Sequence, residues 1–133
     1  MVSRQEDSAR LDGCPGMSGA WYPLVADVDL PEGGRFMAVM PGGWHVLAVR
    51  TEAGLFAIND RCTHQASPLS AGRIRRGRVM CPLHGAQFDL ATGTCVGGAY
   101  AALRTFSVRV IDGMIEVELP EDMPGMDDLP VML

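Results

Sequence analysis

The sequence predicts an all-β fold, arranged as an antiparallel sandwich or barrel, and three observations support this prediction. The 133 residues include 16 glycines and 9 prolines, which disfavour long helices. Short runs of β-branched and aromatic residues recur between turn signals, and no helical periodicity extends beyond a turn or two. The chain is 47% apolar, enough to bury the core of a single domain of this length.

Eight strands are predicted from these runs, each bounded by turn-forming residues. In chain order they are residues 21–28, 35–40, 45–51, 55–58, 79–80, 86–89, 104–110 and 114–119. Turn signals rich in glycine separate them, at residues 31–34, 41–43, 52–54, 76–77, 92–93, 97–98 and 112–113. Many short strands at this spacing are typical of a sandwich or barrel rather than of a fold with crossover helices.

The last hairpin shows the alternation of strand residues most clearly. Asp112-Gly113 is a two-residue turn of the kind that joins paired antiparallel strands. Apolar residues alternate with polar ones on both sides of it: Phe106, Val108 and Val110 before the turn, and Ile115, Val117 and Leu119 after it. Each of the two strands is therefore expected to have one buried and one exposed face.

Two terminal segments flank the predicted domain, which covers residues 21–119. Residues 1–20 mix charged with small residues and are predicted to be a flexible arm. Residues 120–133 combine three prolines, four acids and an apolar end, and are predicted to lie on the surface. No apolar run approaches the ~18 residues that a membrane helix needs, and no secretory signal is visible. A cytoplasmic protein without a membrane contact is therefore expected.

Charge is distributed unevenly along the chain. The net charge is −5, yet residues 61–80 carry five arginines and no acidic residue. A nucleic-acid surface would need far more positive charge, so nucleic acid is not expected as a partner. Four of these arginines lie close together, at Arg73, Arg75, Arg76 and Arg78. A solvated surface and a docking site for an acidic partner both remain open for this group.

Two short segments pair a cysteine with a histidine. They are Cys62-Thr63-His64 and, sixteen residues further on, Cys81-Pro82-Leu83-His84. Folded together, they would offer two thiolates and two imidazoles, which a single tetrahedral metal could accept or a two-iron cluster could divide between its irons. Zinc sites with these ligands more often place a cysteine pair before a histidine pair, and the interleaved order here favours iron and sulfur.

The two segments resemble those of the Rieske iron–sulfur family, and in particular its small soluble ferredoxins. CTHQASPL begins at Cys62 and CPLHGAQFDLATG begins at Cys81, and the similarity extends from about Trp21 to Leu119. The resemblance implies two loops at one end of a β-sandwich that hold one [2Fe–2S] cluster. Cys62 and Cys81 would bind the inner iron, and His64 and His84 would bind the outer one.

Departures from the respiratory branch of that family bear on the reduction potential. In that branch each ligand loop carries a further cysteine, and the two form a disulfide, whereas the matching positions here are Ser67 and Leu83. Ala86 and Phe88 stand where that branch has serine and tyrosine hydroxyls that donate towards the cluster. With fewer donors, the potential is expected at the low end of the Rieske range of about −150 to +300 mV.

The resemblance implies a one-electron carrier, similar to the ferredoxin component of bacterial ring-hydroxylating oxygenase systems. Such a protein takes electrons from a flavin reductase and delivers them to a terminal oxygenase, and it is expected to be a monomer. It is not expected to be the oxygenase, because only His45 remains for a mononuclear iron once His64 and His84 bind the cluster. A small subunit of a reductase such as assimilatory nitrite reductase is the first alternative. A zinc-stabilised or metal-free β-domain that serves as an interaction module is the second.

Three candidate groups lie outside the motif. Cys14 and Cys95 are interpreted as free thiols, and His45 as an ordinary strand residue. The apolar end of the chain, from Pro130 to Leu133, could pack on a neighbouring molecule.

Overall fold

The computed structural model describes residues 19–63, 67–82, 85–125 and 128–130, and their fold is all-β, as the sequence predicts. The described chain has ten strands: β1 Gly19–Ala26, β2 Arg35–Val39, β3 His45–Thr51, β4 Gly54–Asn59, β5 Arg73–Arg75, β6 Arg78–Met80, β7 Gln87–Asp89, β8 Thr105–Phe106, β9 Val108–Ile111 and β10 Met114–Pro120. They form three antiparallel sheets, in the orders β2-β3-β4-β8, β9-β10-β1 and β5-β6-β7. Short 3-10 turns occur at Asp27–Asp29 and Leu69–Ala71.

Strand β3 of the four-stranded central sheet separates two cores. Its residues Val46, Leu47, Ala48 and Val49 are all buried, so both faces of the strand are covered. Leu47 and Val49 pack in the core that also contains the three described cysteines, whereas Val46 packs with Trp44 and Val117 in the second core. The sequence of a strand that is buried on both faces is a continuous apolar run. Periodicity alone therefore does not show which of its residues face which core.

The outer sheet confirms the alternation predicted for the last strand. In β10, Ile115, Val117 and Leu119 are buried, while Glu116 and Glu118 are only partly covered. Asp112 and Gly113 form the two-residue turn, with φ of 51° and 79°, as a type I′ turn requires. Strand β1 pairs with the other side of β10, from Ala26 opposite Met114 to Gly19 opposite Pro120.

The single strand predicted at residues 104–110 is wrong, because the chain changes sheets at Ser107. Phe106 pairs with Ala57 in the central sheet, whereas Val108 pairs with Val117 in the outer sheet. Only Phe106 and Val108, on either side of the change, contact the core. Val110 is 42% exposed and does not share the buried face that its position in the alternation predicts.

The third sheet contains one strand that the sequence did not predict, β5. Arg73–Arg75 is only three residues long and carries a single apolar side chain, so it lacks a strand signal of its own. It pairs with β6 through the turn Arg76-Gly77, where φ is 54° and 74°. Ile74, Val79 and Phe88 form the inner face of this sheet and pack on the cysteine-containing core.

The segment after β10 makes three hydrogen bonds to residues in or beside the central sheet. The Trp44 indole N–H donates to the Asp122 carbonyl at 3.0 Å. The Asn59 amide donates to the Asp128 carbonyl at 2.9 Å, and Arg61 Nε donates to the Leu129 carbonyl at 3.2 Å. The segment thereby contacts the residues that lead into the first ligand loop. Residues 131–133, residues 1–18 of the N-terminal arm and Cys14 lie outside the described residues.

Deleting residues 121–133 is expected to destabilise the domain through the loss of these contacts, and a double-mutant cycle measures the share due to Trp44. Trp44→Phe keeps a ring against Phe106, whose centroid lies 5.7 Å away, and removes the indole donor together with part of the ring. The lost ring atoms cost packing free energy in both backgrounds, because Trp44 is buried. The hydrogen bond adds to this cost only while the tail is present, so chemical denaturation should show a cost about 1 kcal/mol greater in the full chain than after the deletion. Equal costs in both backgrounds would show that the tail is not bound at Trp44.

None of the helical segments in the described part of the chain is long and apolar enough to cross a membrane.

Candidate metal centre

Two cysteines of the motif are buried in the same core. Cys62 follows β4 after two residues, and Cys81 directly follows β6. Their exposed fractions are 0% and 1%, and both belong to the core that also contains Val79, Phe88 and Cys95. No disulfide joins the three described cysteines. The topology thus brings two soft, thiolate-forming ligands together from segments nineteen residues apart.

The two loops that begin at these cysteines are closed in the same way. The Cys62 N–H donates to the Ser67 carbonyl at 2.8 Å, and the Cys81 N–H donates to the Ala86 carbonyl at 2.7 Å. Each hydrogen bond spans five residues, so the loops have equal length. Within the second loop the Gly85 N–H donates to the Cys81 carbonyl at 3.0 Å, with a φ of +77° at Gly85 that favours glycine. The two loops are therefore closed in the same way although their sequences differ.

Each loop contains one histidine of the motif, at position 64 or 84. His64, His84 and Leu83 lie outside the described residues, so their predicted roles are not tested by the structure. Within residues 19–63, 67–82, 85–125 and 128–130, no three His, Cys, Asp or Glu side chains assemble as metal ligands. The ligand set therefore stays a prediction.

A buried aspartate that sequence reasoning missed holds the first loop. Asp60 is 1% exposed, and its Oδ1 accepts from the Ser70 N–H at 2.7 Å. Its own N–H donates to the His45 carbonyl at 2.9 Å. Asp60 thus joins β3, the start of the first loop and the 3-10 turn that follows that loop. The sequence does not indicate that Asp60 is buried, because an aspartate after a strand is usually exposed.

A third loop, residues 96–103, is attached to the first ligand loop. The Thr63 hydroxyl donates to the Ala101 carbonyl at 2.6 Å. At the same end of the loop the Leu103 N–H donates to the Gly93 carbonyl at 2.7 Å, and at the other end the Val96 N–H donates to the Gln87 carbonyl at 2.8 Å. The side chains of Val96 and Tyr100 are exposed. The third loop therefore lies beside the cysteine loops and is fixed at both ends.

The remaining candidate residues have plain structural surroundings. Cys95 is 4% exposed, and its thiol donates to the Val96 carbonyl over 3.6 Å. His45 begins β3, with its side chain partly exposed. Ser67 is buried, and its hydroxyl donates to the Pro68 carbonyl at 3.4 Å. Ser67 therefore provides no covalent brace between the loops.

The two loops are closed in the same way, and each has a buried cysteine and a histidine in its sequence. This combination is typical of a protein that binds a metal cluster through paired loops. The donor set of two thiolates and two imidazoles fits a Rieske [2Fe–2S] cluster, in which two histidines replace two cysteines on one iron. The fit rests on the burial of Cys62 and Cys81 and on the matched closure of their loops.

Comparison with known proteins agrees with this chemistry. The family model for the Rieske [2Fe–2S] domain matches residues 20–107. The 3-phenylpropionate/cinnamic acid dioxygenase ferredoxin subunit of Escherichia coli K12 is 39% identical over 118 residues, which covers 86% of this chain and 98% of the relative. A solved complex of reduced oxygenase and oxidised ferredoxin in carbazole 1,9a-dioxygenase contains a chain that matches with a TM-score of 0.70 at 26% identity, over 78% of this chain and 97% of that chain.

A further structure shares the fold alone. The putative NADH-dependent nitrite reductase small subunit from Mycobacterium tuberculosis matches with a TM-score of 0.68, at 22% identity over 77% of this chain and 96% of that chain. The fold therefore does not separate a carrier from a reductase subunit, whereas the full-length likeness to a ferredoxin subunit does.

The chain belongs to the Rieske [2Fe–2S] family. It is an electron carrier with a Rieske cluster, an electron-transfer component rather than a catalyst. The zinc-stabilised and metal-free alternatives are thereby excluded.

Proposed function

We propose that this carrier passes single electrons from a flavin reductase to a terminal oxygenase that hydroxylates aromatic rings. Cys62 and Cys81 would bind one iron of the cluster, and His64 and His84 the other. The observation that carries the ligand assignment is the matched closure of the two loops, each by a hydrogen bond from its cysteine N–H. Two loops that are closed in the same way would each supply one sulfur and one nitrogen.

A Rieske cluster, when bound, accepts and donates one electron at a time. The chain supplies the surroundings that set how readily this occurs. Phe88 is fully buried on the inner face of the third sheet, and Ala86 closes the second loop through its carbonyl. Neither side chain carries a hydroxyl, so neither can donate a hydrogen bond that would stabilise the added electron. This supports a potential near the low end of the range of about −150 to +300 mV.

The partners are proposed from the relatives. The full-length relative is a ferredoxin subunit of a dioxygenase for an aromatic acid, and the matching solved chain was captured with an oxygenase. Both support a terminal oxygenase as acceptor, and a flavin reductase is the donor that completes such a system. The carrier is proposed to be a monomer, because one chain contains all four proposed ligands. It is proposed to be cytoplasmic, which agrees with the lack of a disulfide among the described cysteines.

The ligand assignment is tested by replacing each histidine in turn. Protein labelled with ¹⁵N-histidine is reduced with dithionite under anaerobic conditions and studied by electron paramagnetic resonance. We expect a rhombic signal with an average g below that of all-cysteine [2Fe–2S] clusters, and hyperfine coupling to two histidine nitrogens. His64→Cys or His84→Cys should remove one of the two couplings and lower the potential.

His45→Gln is the matched control for these variants. His45 is the histidine of the sequence that lies outside the motif, and it begins β3. Its replacement should leave the signal, both couplings and the potential unchanged. A coupling that disappears in this variant, or two couplings that persist without His64 or His84, would refute the proposed ligands.

A further inference from the structure

The outer face of the third sheet carries an unusual concentration of positive charge. Antiparallel pairing places Arg73 beside Met80 and Gln87 in one row, and Arg75 beside Arg78 and Asp89 in the next. Arg76 lies in the turn between β5 and β6. We call this surface the arginine face, formed by Arg73, Arg75, Arg76, Arg78, Met80 and Gln87, which line a shallow groove of about 280 Å³.

The arginines of this face differ from all others in the described chain in having no partner. Five of the nine described arginines hydrogen-bond to a carbonyl or carboxylate or lie over an aromatic ring: Arg35, Arg50, Arg61, Arg104 and Arg109. The other four are those of the arginine face, and no hydrogen bond, ion pair or ring contact involves their side chains. The described arginines whose side chains make contacts within the fold therefore all lie outside the arginine face.

The arrangement on the face costs stability. Arg75 is directly opposite Arg78, and like charges at directly opposed strand positions repel. Asp89, opposite Arg78, is the acid that could offset this repulsion. Its Oδ1 instead accepts from the N–H groups of Ala91 and Thr92, at 2.8 and 3.1 Å. The local structure therefore provides no reason for four arginines at these positions.

The position of the face relates it to electron transfer. Strand β6 ends at Met80, so the face borders the loop that begins at Cys81. Strand β5 follows the 3-10 turn Leu69–Ala71, which comes directly after the first loop. The face therefore flanks both cysteine loops through the strands that connect them.

The rest of the chain has the opposite charge. Residues 61–80 carry five arginines and no acid, while the remaining residues carry six arginines and sixteen acids. An acidic protein is therefore attracted most strongly to the side that carries the arginine face. Such a charge distribution orients a partner as it approaches and accelerates productive encounters.

We propose that the arginine face is the docking surface for the terminal oxygenase, and that the oxygenase presents carboxylates to it. This inference rests on the proposed function, in which the oxygenase is the electron acceptor. The face orients the oxygenase beside the cysteine loops, and its charge acts on association more than on the lifetime of the complex.

The test compares two variants with the same net charge. Arg75→Gln/Arg78→Gln removes two positive charges from the face. Val28→Glu/Val110→Glu adds two negative charges at exposed positions of a different part of the fold, in the 3-10 turn after β1 and in β9. The first probe is ferricyanide, a small trivalent anion, which oxidises the reduced protein in a stopped-flow instrument at low ionic strength.

We expect the arginine variant to react with ferricyanide about threefold more slowly than the wild type, and the control to react at nearly the wild-type rate. The difference should disappear at 1 M salt, where the Debye length is about 3 Å. Affinity for the oxygenase that the wild-type protein reduces, measured by calorimetry at low salt, should fall about tenfold in the arginine variant only.

Equal effects of the two variants would show that only net charge matters, and would overturn the proposal. A slower reduction by the flavin reductase with unchanged binding to the oxygenase would also overturn it, because the face would then serve the other partner. Failure of the proposed function is distinguishable: wild-type protein would then give no electron transfer to any oxygenase, whatever the ferricyanide rates. Thermal unfolding of both variants shows that each is folded.

Discussion

Replacing Cys81 by alanine is expected to prevent assembly of the cluster, whereas replacing Cys95 by alanine is expected to leave it in place. The two cysteines are matched for burial, at 1% and 4% exposed, and lie in the same core. Each substitution removes one buried sulfur and leaves a cavity of similar size, at a cost of about 1–2 kcal/mol. The loss of a ligand is the difference between them.

Iron per chain and the visible absorption of anaerobically purified protein measure this outcome. We expect colourless Cys81→Ala protein with little bound iron, and Cys95→Ala protein with the iron content of the wild type. The stabilities of the two apo-proteins should agree within about 1 kcal/mol. Iron retained without Cys81, or lost without Cys95, would contradict the role assigned to Cys81.

The largest effect on stability is expected for Gly72→Ala. A Cβ at position 72 would lie 1.9 Å from the Met80 carbonyl oxygen, and 3.2 Å from the Leu69 carbonyl oxygen. Both are backbone atoms, so no side-chain rotation relieves the overlap. Either β6 or the 3-10 turn before Gly72 must move, and Met80 is the residue directly before Cys81. We expect the free energy of unfolding to fall by about 3 kcal/mol, and iron occupancy to fall with it.

Gly125→Ala is the control for this substitution. Its Cβ would lie 3.7 Å from Asp128 Oδ2, an ordinary contact distance. A change within about 0.5 kcal/mol is expected in chemical denaturation. If Gly72→Ala lowered the free energy of unfolding as little as Gly125→Ala, the Gly72 backbone could not lie as close to β6 as the structure places it.

The features that could be predicted from the sequence are those whose partners lie nearby in the chain. The turn at Asp112-Gly113 and the alternation in β10 belong to one hairpin, so local residues determine both. The two cysteine loops were recognisable because ligand chemistry restricts which residues can serve. Both cysteines are buried, which agrees with the place on the inner iron that the resemblance implies for them.

What could not be predicted depends on distant partners or on backbone groups. No residue near Ser107 indicates that Phe106 pairs with Ala57 while Val108 pairs with Val117. The path of the C-terminal segment is determined by carbonyl oxygens at residues 122, 128 and 129, and any residue type has one. Strand β5 is formed by its pairing with β6, and its own sequence, with two arginines in three residues, does not indicate a strand.

The pairing of β1 with β10 has a consequence during synthesis on the ribosome. Strand β1 is made first among the described strands, yet its hydrogen-bonding partner is the last of them. Until β10 emerges, the apolar side chains of Tyr22 and Leu24 have no second core to enter, and the edge of β1 is unpaired. The newly made chain therefore carries an unpaired, aggregation-prone strand until β10 is made.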